Sequence, residues 1–240
     1  MTIEVLYPNV CNLYGDAMNG EYLRRALPDA EFVNTFLKDR PRFADENVDL
    51  IYMGSMTESG QEMVAQALLP YRARIQELID GGTVFLITGN AMEIFGTHIE
   101  NEDGSRIETL GLFDLYAKRQ MMRRYNSIYL GTFGEIEIVG FKSQFSHNYD
   151  AGEGSVPALF QTLRGAGRKP NKKEEGVRLN NFLATNLLGP ILQLNPLFAR
   201  YVLELLGADE CELPFEAEAM AAYEARLREF KDPNTGETYG

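Results

Sequence analysis

The stretch TVFLITGNAMEIFG, residues 83–96, is where this chain would be expected to carry a reactive side chain. Residues 84–87 form a continuous apolar run, Gly89-Asn90 a tight turn, and residues 91–95 a short amphipathic helix closed by Gly96. A strand-turn-helix elbow lifts its tip residue clear of a sheet and aims helix N–H groups at a reacting carbonyl, which suits nucleophilic catalysis. The tip here is Gly89, which has no side chain. Cys11 follows the first apolar strand, at the edge where α/β sheets place ligands, and reads either as a displaced nucleophile or as a small apolar filler. Ser146 and His147 are neighbours in sequence, so their side chains point apart and make no dyad. His98 lies nine residues past Gly89, about 13 Å if helical, and reads as a surface residue. No His, Cys, Asp or Glu cluster has metal-ligand spacing, and no cofactor is expected.

The elements that must position these residues alternate in the α/β manner. IEVLY (3–7) reads as a strand, and DAMNGEYLRRAL (16–27) as a helix with Asp16 as its N-cap. Strands follow at EFVNTF (31–36) and VDLIYMG (48–54), the latter apolar enough to be covered on both faces. SGQEMVAQALLPYRARIQELIDGG predicts a helix bent near Pro70, where a hydrogen bond is lost, and stopped by Gly81-Gly82. Beyond the elbow, FDLYAKRQ, SIYLGTF and EIEIVGFKSQF alternate apolar and polar residues, as antiparallel or edge strands do. VPALFQTL and NFLATNLL read as two more strands, separated by an exposed Gly/Pro/Lys-rich loop at 164–176. NPLFARYVLELLG (195–207) predicts a helix with Asn195 as cap and Pro196 at its first position. EAEAMAAYEARLREFKD predicts another, and PNTGETYG a frayed tail. The expected architecture is a doubly wound, mostly parallel α/β sheet with extra antiparallel edge strands. One domain spans 1–207, and a C-terminal helix and tail occupy 208–240.

Composition narrows the function classes. The 240 residues carry a net charge of -12, which disfavours a phosphate-tracking nucleic-acid binder or an anionic-membrane binder. Two cysteines 200 residues apart make no disulfide framework, and the N-terminus reads as a strand start rather than a leader. With no apolar run near the ~20 residues of a membrane helix, a cytoplasmic protein is expected, with no membrane insertion and no nucleic-acid partner.

Five segments carry a family resemblance in order: LYPNVCNLYGDAMN, VDLIYMGSMTESGQ, the elbow, GFKSQF and NNFLATNLLGPILQLNP. Together they resemble the class I glutamine amidotransferases of the cobyric-acid-synthase type, and within these the glutaminase subunit of lipid II isoglutaminyl synthase. The likeness covers residues 3–206 and implies the flavodoxin-like amidotransferase fold. In that family an elbow Cys (CGGxQ) attacks the glutamine side-chain amide and a distant His (YLHGP) shuttles the proton, releasing ammonia for a synthetase. The resemblance places Gly89 at the nucleophile and Leu188 at the base. The family's GGGQD loop reads GSMTE here, keeping only its first glycine, Gly54. Gly54, Ser55, Thr57, Asn90, Glu93 and Gln144 would then line a remnant pocket.

Other residues offer contact surfaces. Tyr14, Asp16 and Asn19 sit between the first strand and helix, where the alternative reading is simply a capped helix start. The run YAKRQMMRRYN clusters Lys118, Arg119, Arg123 and Arg124, either as a solvated face or as a site for an anionic ligand or acidic partner. Residues 164–173 present a second basic surface. Three functional readings follow. One is a non-hydrolytic scaffold or regulatory subunit for a Mur-ligase-like amide synthetase, or for an intact glutaminase homologue, in cell-wall or cobalamin chemistry. The second is an active amidotransferase or hydrolase with another nucleophile. The third is a small-molecule sensor using the old glutamine pocket.

Overall fold

The computed structural model describes residues 1–152, 156–208 and 210–238. A six-stranded sheet is built from β1 (Thr2–Leu6), β2 (Glu31–Thr35), β3 (Leu50–Met53) and β4 (Val84–Thr88). Three helices, α1 (Ala17–Ala26), α2 (Glu58–Leu68) and α3 (Arg72–Asp80), accompany these strands, with a 3-10 turn at Gly89–Phe95 after β4. Short strands follow: β5 (His98–Glu100), β6 (Arg106–Glu108), β7 (Leu115–Arg119), β8 (Tyr125–Phe133), β9 (Ile136–Gln144) and β10 (Ser146–Asp150). The chain continues through β11 (Phe160–Arg164), β12 (Glu174–Glu175), β13 (Val177–Leu179) and β14 (Phe182–Thr185). It closes with α4 (Ile191–Leu194), α5 (Pro196–Leu205) and α6 (Glu216–Lys231).

The main sheet has the order β13-β14-β4-β3-β1-β2, parallel throughout except for β13 on its edge. Strand alternation explains why it is covered on both faces. Ile51, Met53, Phe85 and Ile87 pack with Val64, Leu68 and Ile75 of α2 and α3. Leu50, Tyr52, Val84 and Leu86 pack with Leu23 of α1 and with Phe198 and Val202 of α5 on the other face. The order reverses between β1 and β3, and at such a switch point the strand ends open a crevice at the carboxyl edge. The helix break expected near Pro70 is present as a 3-10 turn, Leu69–Tyr71, between α2 and α3.

The antiparallel strands do more than line the edge of the parallel sheet. Only β13 does that, and the rest form two further four-stranded sheets, β10-β7-β5-β6 and β12-β11-β8-β9. The hairpin of β5 and β6 and the strands β10, β12 and β13 lie outside the strands expected from the sequence, β12 falling within the 164–176 segment expected as an exposed loop. Residues 233–238 do not fray: the Arg164 guanidinium donates to the carbonyls of Asp232 (2.8 Å) and Thr235 (2.7 Å), and Ile128 N–H to Glu237 (3.0 Å). Residues 239–240 of the expected tail lie outside the described residues. Helix α6 seals the outer face of β8 and β9 through Tyr223 and Phe230, which pack on Ile128, Leu130 and Val139.

Candidate functional site

Three loops and one turn converge at the carboxyl edge of the main sheet: residues 7–16 after β1, 54–57 after β3, the Gly89–Phe95 turn after β4, and 186–190 after β14. Gly89 takes φ +62°, a left-handed backbone that favours glycine, and its N–H donates to Leu187 O at 3.1 Å. Gly89 and Leu188 line one cavity of about 110 Å³, together with Ser55, Thr57, Asn90, Glu93 and Gln144. Five of the six residues expected in the pocket, and the two expected to face one another across it, therefore share one place.

The tip of the elbow is sterically closed. A Cβ at Gly89 would stand closer than 3.0 Å to the Ser55 Cβ, a separation that real Cβ atoms essentially never show. Ser55 cannot easily withdraw. Its N–H donates to Asp16 Oδ2, its Oγ to Leu13 O at 3.1 Å, and its carbonyl accepts from Leu13 N–H at 3.0 Å. The next amide, Met56 N–H, donates to Asn90 Oδ1 at 3.0 Å, and Asn90 Nδ2 returns a bond to Met56 O at 2.8 Å. An oxyanion hole requires free N–H donors aimed at the reacting oxygen. The amides of Ser55, Met56 and Gly89 all point instead at protein acceptors.

Two fully buried carboxyls support this arrangement. Asp16 is pushed above the usual carboxylate range by burial, against the opposing pull of its bonds to Ser55. Around it, Tyr52 Oη donates to Asp16 O at 2.6 Å and Asn19 Nδ2 to Tyr52 Oη at 3.1 Å, while Asn19 Oδ1 accepts from Leu192 N–H at 3.0 Å. The second carboxyl, Glu93, is also pushed up by burial. It accepts from Ser146 Oγ and from Gln61 Nε2 at 2.8 Å, and Gln61 Oε1 in turn accepts from Arg119 at 2.8 Å. A hydroxyl from β10 and, through Gln61, a guanidinium from β7 thus hold the elbow's underside.

Several expected roles are corrected by this geometry. Asp16 and Asn19 are 0% exposed, so they form no contact surface, and Tyr14 (45% exposed) is the one of the three that can. Asp16 makes no side-chain cap to α1: its carboxylate turns inward, and Asn12 Oδ1 accepts from Ala17 N–H instead. Gly54 lies behind the cavity, where a Cβ would come within 2.8 Å of Asp16 Cβ and Cys11 O. Cys11 is not placed as a nucleophile for this cavity: it is buried, lies off the cavity with its Sγ 3.8 Å from Met56 Sδ, and burial pushes its thiol up. His98 is half-buried and stacks on Tyr116 at 5.0 Å. Arg119 is buried at 5% and pairs with Glu62 at 2.7 Å, while Lys118 pairs with Glu100 at 2.7 Å, so among the described residues only Arg123 and Arg124 of the basic run make no ion pair. Within 164–176, Arg168 is also buried, donating to Gly176 O at 2.7 Å and Val156 O at 2.8 Å.

Arg124 and Asn186 also line the cavity. The sequence gives no separate sign of Asn186, whose Oδ1 accepts from Asn148 Nδ2 at 2.9 Å, although it falls inside the TNLLGP motif. Among the described residues, no group of three or more His, Cys, Asp or Glu could hold a metal ion, and no helix is long and apolar enough to cross a membrane.

Solved structures share this architecture. One, described as a glutamine amidotransferase, superposes with a TM-score of 0.57 at 16% identity, covering 85% of this chain and 98% of its own. A glutamine amidotransferase from Thermotoga maritima gives 0.52 at 11% identity, covering 96% and 92%. The fold is that of the class I glutamine amidotransferases. No protein-family model matches the chain. Among curated proteins, the GatD subunit of lipid II isoglutaminyl synthase (glutamine-hydrolyzing) of Staphylococcus aureus is 28% identical over 220 residues, 90% of this chain and 88% of its own. The GatD subunit of Streptococcus pneumoniae is 25% identical over 206 residues, 81% and 76%. This amidotransferase-fold chain is homologous to those GatD subunits.

Proposed function

We propose that this chain is a non-hydrolysing relative of the GatD subunits, acting as a scaffold or regulatory subunit of an amide synthetase in cell-wall chemistry. The observation that carries the reading is Ser55. Its Cβ fills the volume that a nucleophilic side chain at position 89 would need. The neighbouring facts point the same way: three loop amides are consumed internally, and Leu188 offers no proton acceptor where the resemblance calls for a base. Loss of nucleophile, base and oxyanion donors together is what relaxed selection on one chemical step leaves behind. The partner this reading calls for is a Mur-ligase-like synthetase, and the exposed Tyr14 and Arg124 at the cavity, with the neighbouring exposed Arg123, are the surface it would meet.

The test pairs two measurements. Purified protein incubated with glutamine is expected to release no ammonia above a blank, and to co-purify with a Mur-ligase-like synthetase when the two are co-expressed. Steady ammonia release at enzyme-like rates, of order ~1 per second or more, would overturn the reading.

A further inference from the structure

A second cavity opens beside the first and shares only Arg124 with it. Its volume is about 500 Å³, within the ~300–1,000 Å³ common for small-molecule sites. Arg123, Arg124 and Lys169 line it, and among the described residues no carboxylate does. In a chain of net charge -12 that is an unusual concentration of one sign. None of the three makes an ion pair among the described residues. Two are instead held over aromatic faces, which position a cation without neutralising it: Arg124 lies 4.4 Å from the Phe145 centroid and Lys169 Nζ 4.4 Å from that of Tyr149. The turn that carries the arginines is fixed at both ends. Gln120 N–H donates to Phe145 O at 2.6 Å, and Arg123 N–H to Gln120 O at 3.0 Å.

His147 supplies a neutral donor to the same cavity. Gln144 Nε2 donates to Ser146 O at 2.6 Å, which sets the orientation of its amide and brings that nitrogen 3.2 Å from His147 Nδ1. Nδ1 is therefore the acceptor, and the ring proton sits on Nε2. Burial, Lys142 and Arg123 push the imidazole down to about 4, so it stays in this form at neutral pH.

We propose that this cavity binds the phosphate monoester group of a small organic ligand, held by Arg123, Arg124, Lys169 and His147 Nε2–H. A phosphate monoester carries about -1.5 to -2 charges at pH 7 and three acceptor oxygens, which matches several convergent donors. A carboxylate brings a single charge and leaves most of this positive potential uncompensated. The cavity exceeds the size of the phosphate itself, and Tyr125 and Tyr149 give the organic body an aromatic wall. The inference does not depend on whether the chain hydrolyses glutamine.

Titration calorimetry at low ionic strength, where screening is weakest, tests it with phenyl phosphate as probe and benzoate as the singly charged comparison. Saturable one-to-one binding of phenyl phosphate is expected, about tenfold or more tighter than benzoate. Lys169→Ala is the diagnostic variant, because Lys169 is half-exposed and does not line the first cavity. It and Arg123→Ala should each weaken binding at least about fivefold with an unchanged melting temperature. No saturation up to about 10 mM, equal affinity for benzoate, or indifference to Lys169→Ala would each overturn the proposal.

Discussion

Replacing Gly89 by Cys is the perturbation that bears most directly on the elbow, and its cost can be worked from the structure. Two terms oppose the substitution. A left-handed backbone costs a non-glycine residue roughly 1–2 kcal/mol, and forcing atoms into a filled site costs typically about 1–3 kcal/mol. Their sum, about 2–5 kcal/mol, lowers the melting temperature of a chain this size by very roughly 4–20 °C. The second term depends on Ser55 and the first does not. Ser55→Gly alone removes the bond from Ser55 Oγ to Leu13 O and frees the loop, costing about 1–2 kcal/mol. In the Gly89→Cys background the same change clears the overlap and should recover part of the loss. Melting all four proteins of this double-mutant cycle measures the coupling, expected at about 1–3 kcal/mol in the direction of rescue. If Ser55→Gly costs the same in both backgrounds, Ser55 does not occupy the nucleophile's space. Ammonia release is expected from neither single variant. Gly89→Cys with Ser55→Gly and Leu188→His is the fair reconstruction, since parts of a catalytic unit recover little one at a time.

Glu93→Gln should stabilise the protein increasingly as pH rises. Its carboxyl is pushed above the ordinary value of 4.5 on folding, so the stability it contributes is full below that value and is lost as pH climbs through the raised one. Glutamine has no such loss, and the melting-temperature difference, variant minus parent, should grow as pH rises above the ordinary carboxyl value of 4.5; a constant or shrinking difference there would contradict the assignment. Phe230→Ala should cost about 3–5 kcal/mol by emptying the pocket under α6, and should expose the C-terminal helix to limited proteolysis; cleavage unchanged from the parent would mean that α6 is held by other contacts. Charge reversal at Arg123 and Arg124 should weaken capture of a synthetase partner at low salt and less so at high salt, and unchanged capture would remove that patch from the partner surface.

Much of the frame was legible in the sequence because strand burial is written as apolar runs. VDLIYMG and NFLATNLL announced strands covered on both faces, and Pro70 announced the break between α2 and α3. The site was legible only in outline. Asp16 before a helix looks like a cap by local rules, yet it serves a loop 39 residues away, and no local pattern encodes that distance. Ser55 looked like a lost glycine, and its steric role needed the three-dimensional approach of β3 and β4. Arg119 and Arg168 fall in runs whose simplest reading is a solvated surface because charge usually is, yet both are buried, Arg119 by an acceptor 58 residues away and Arg168 by carbonyls 8 and 12 residues away. The docking of α6 did leave a sign, the stripe of Met220, Tyr223, Leu227 and Phe230 at spacings of three, four and three.

The crowding between residues 55 and 89 also orders the history that can lead into or out of this site. A side chain enters position 89 at least cost after position 55 has shrunk, and a serine enters position 55 at least cost while position 89 is glycine. Substitution at 89 in the wrong order passes through a less stable protein, and a chain with marginal stability tolerates few such steps. Any side chain introduced at the elbow is therefore gated by the residue at position 55. The constraint is mechanical, set by two neighbouring loops that cannot both carry a Cβ at this point unless one of them shifts.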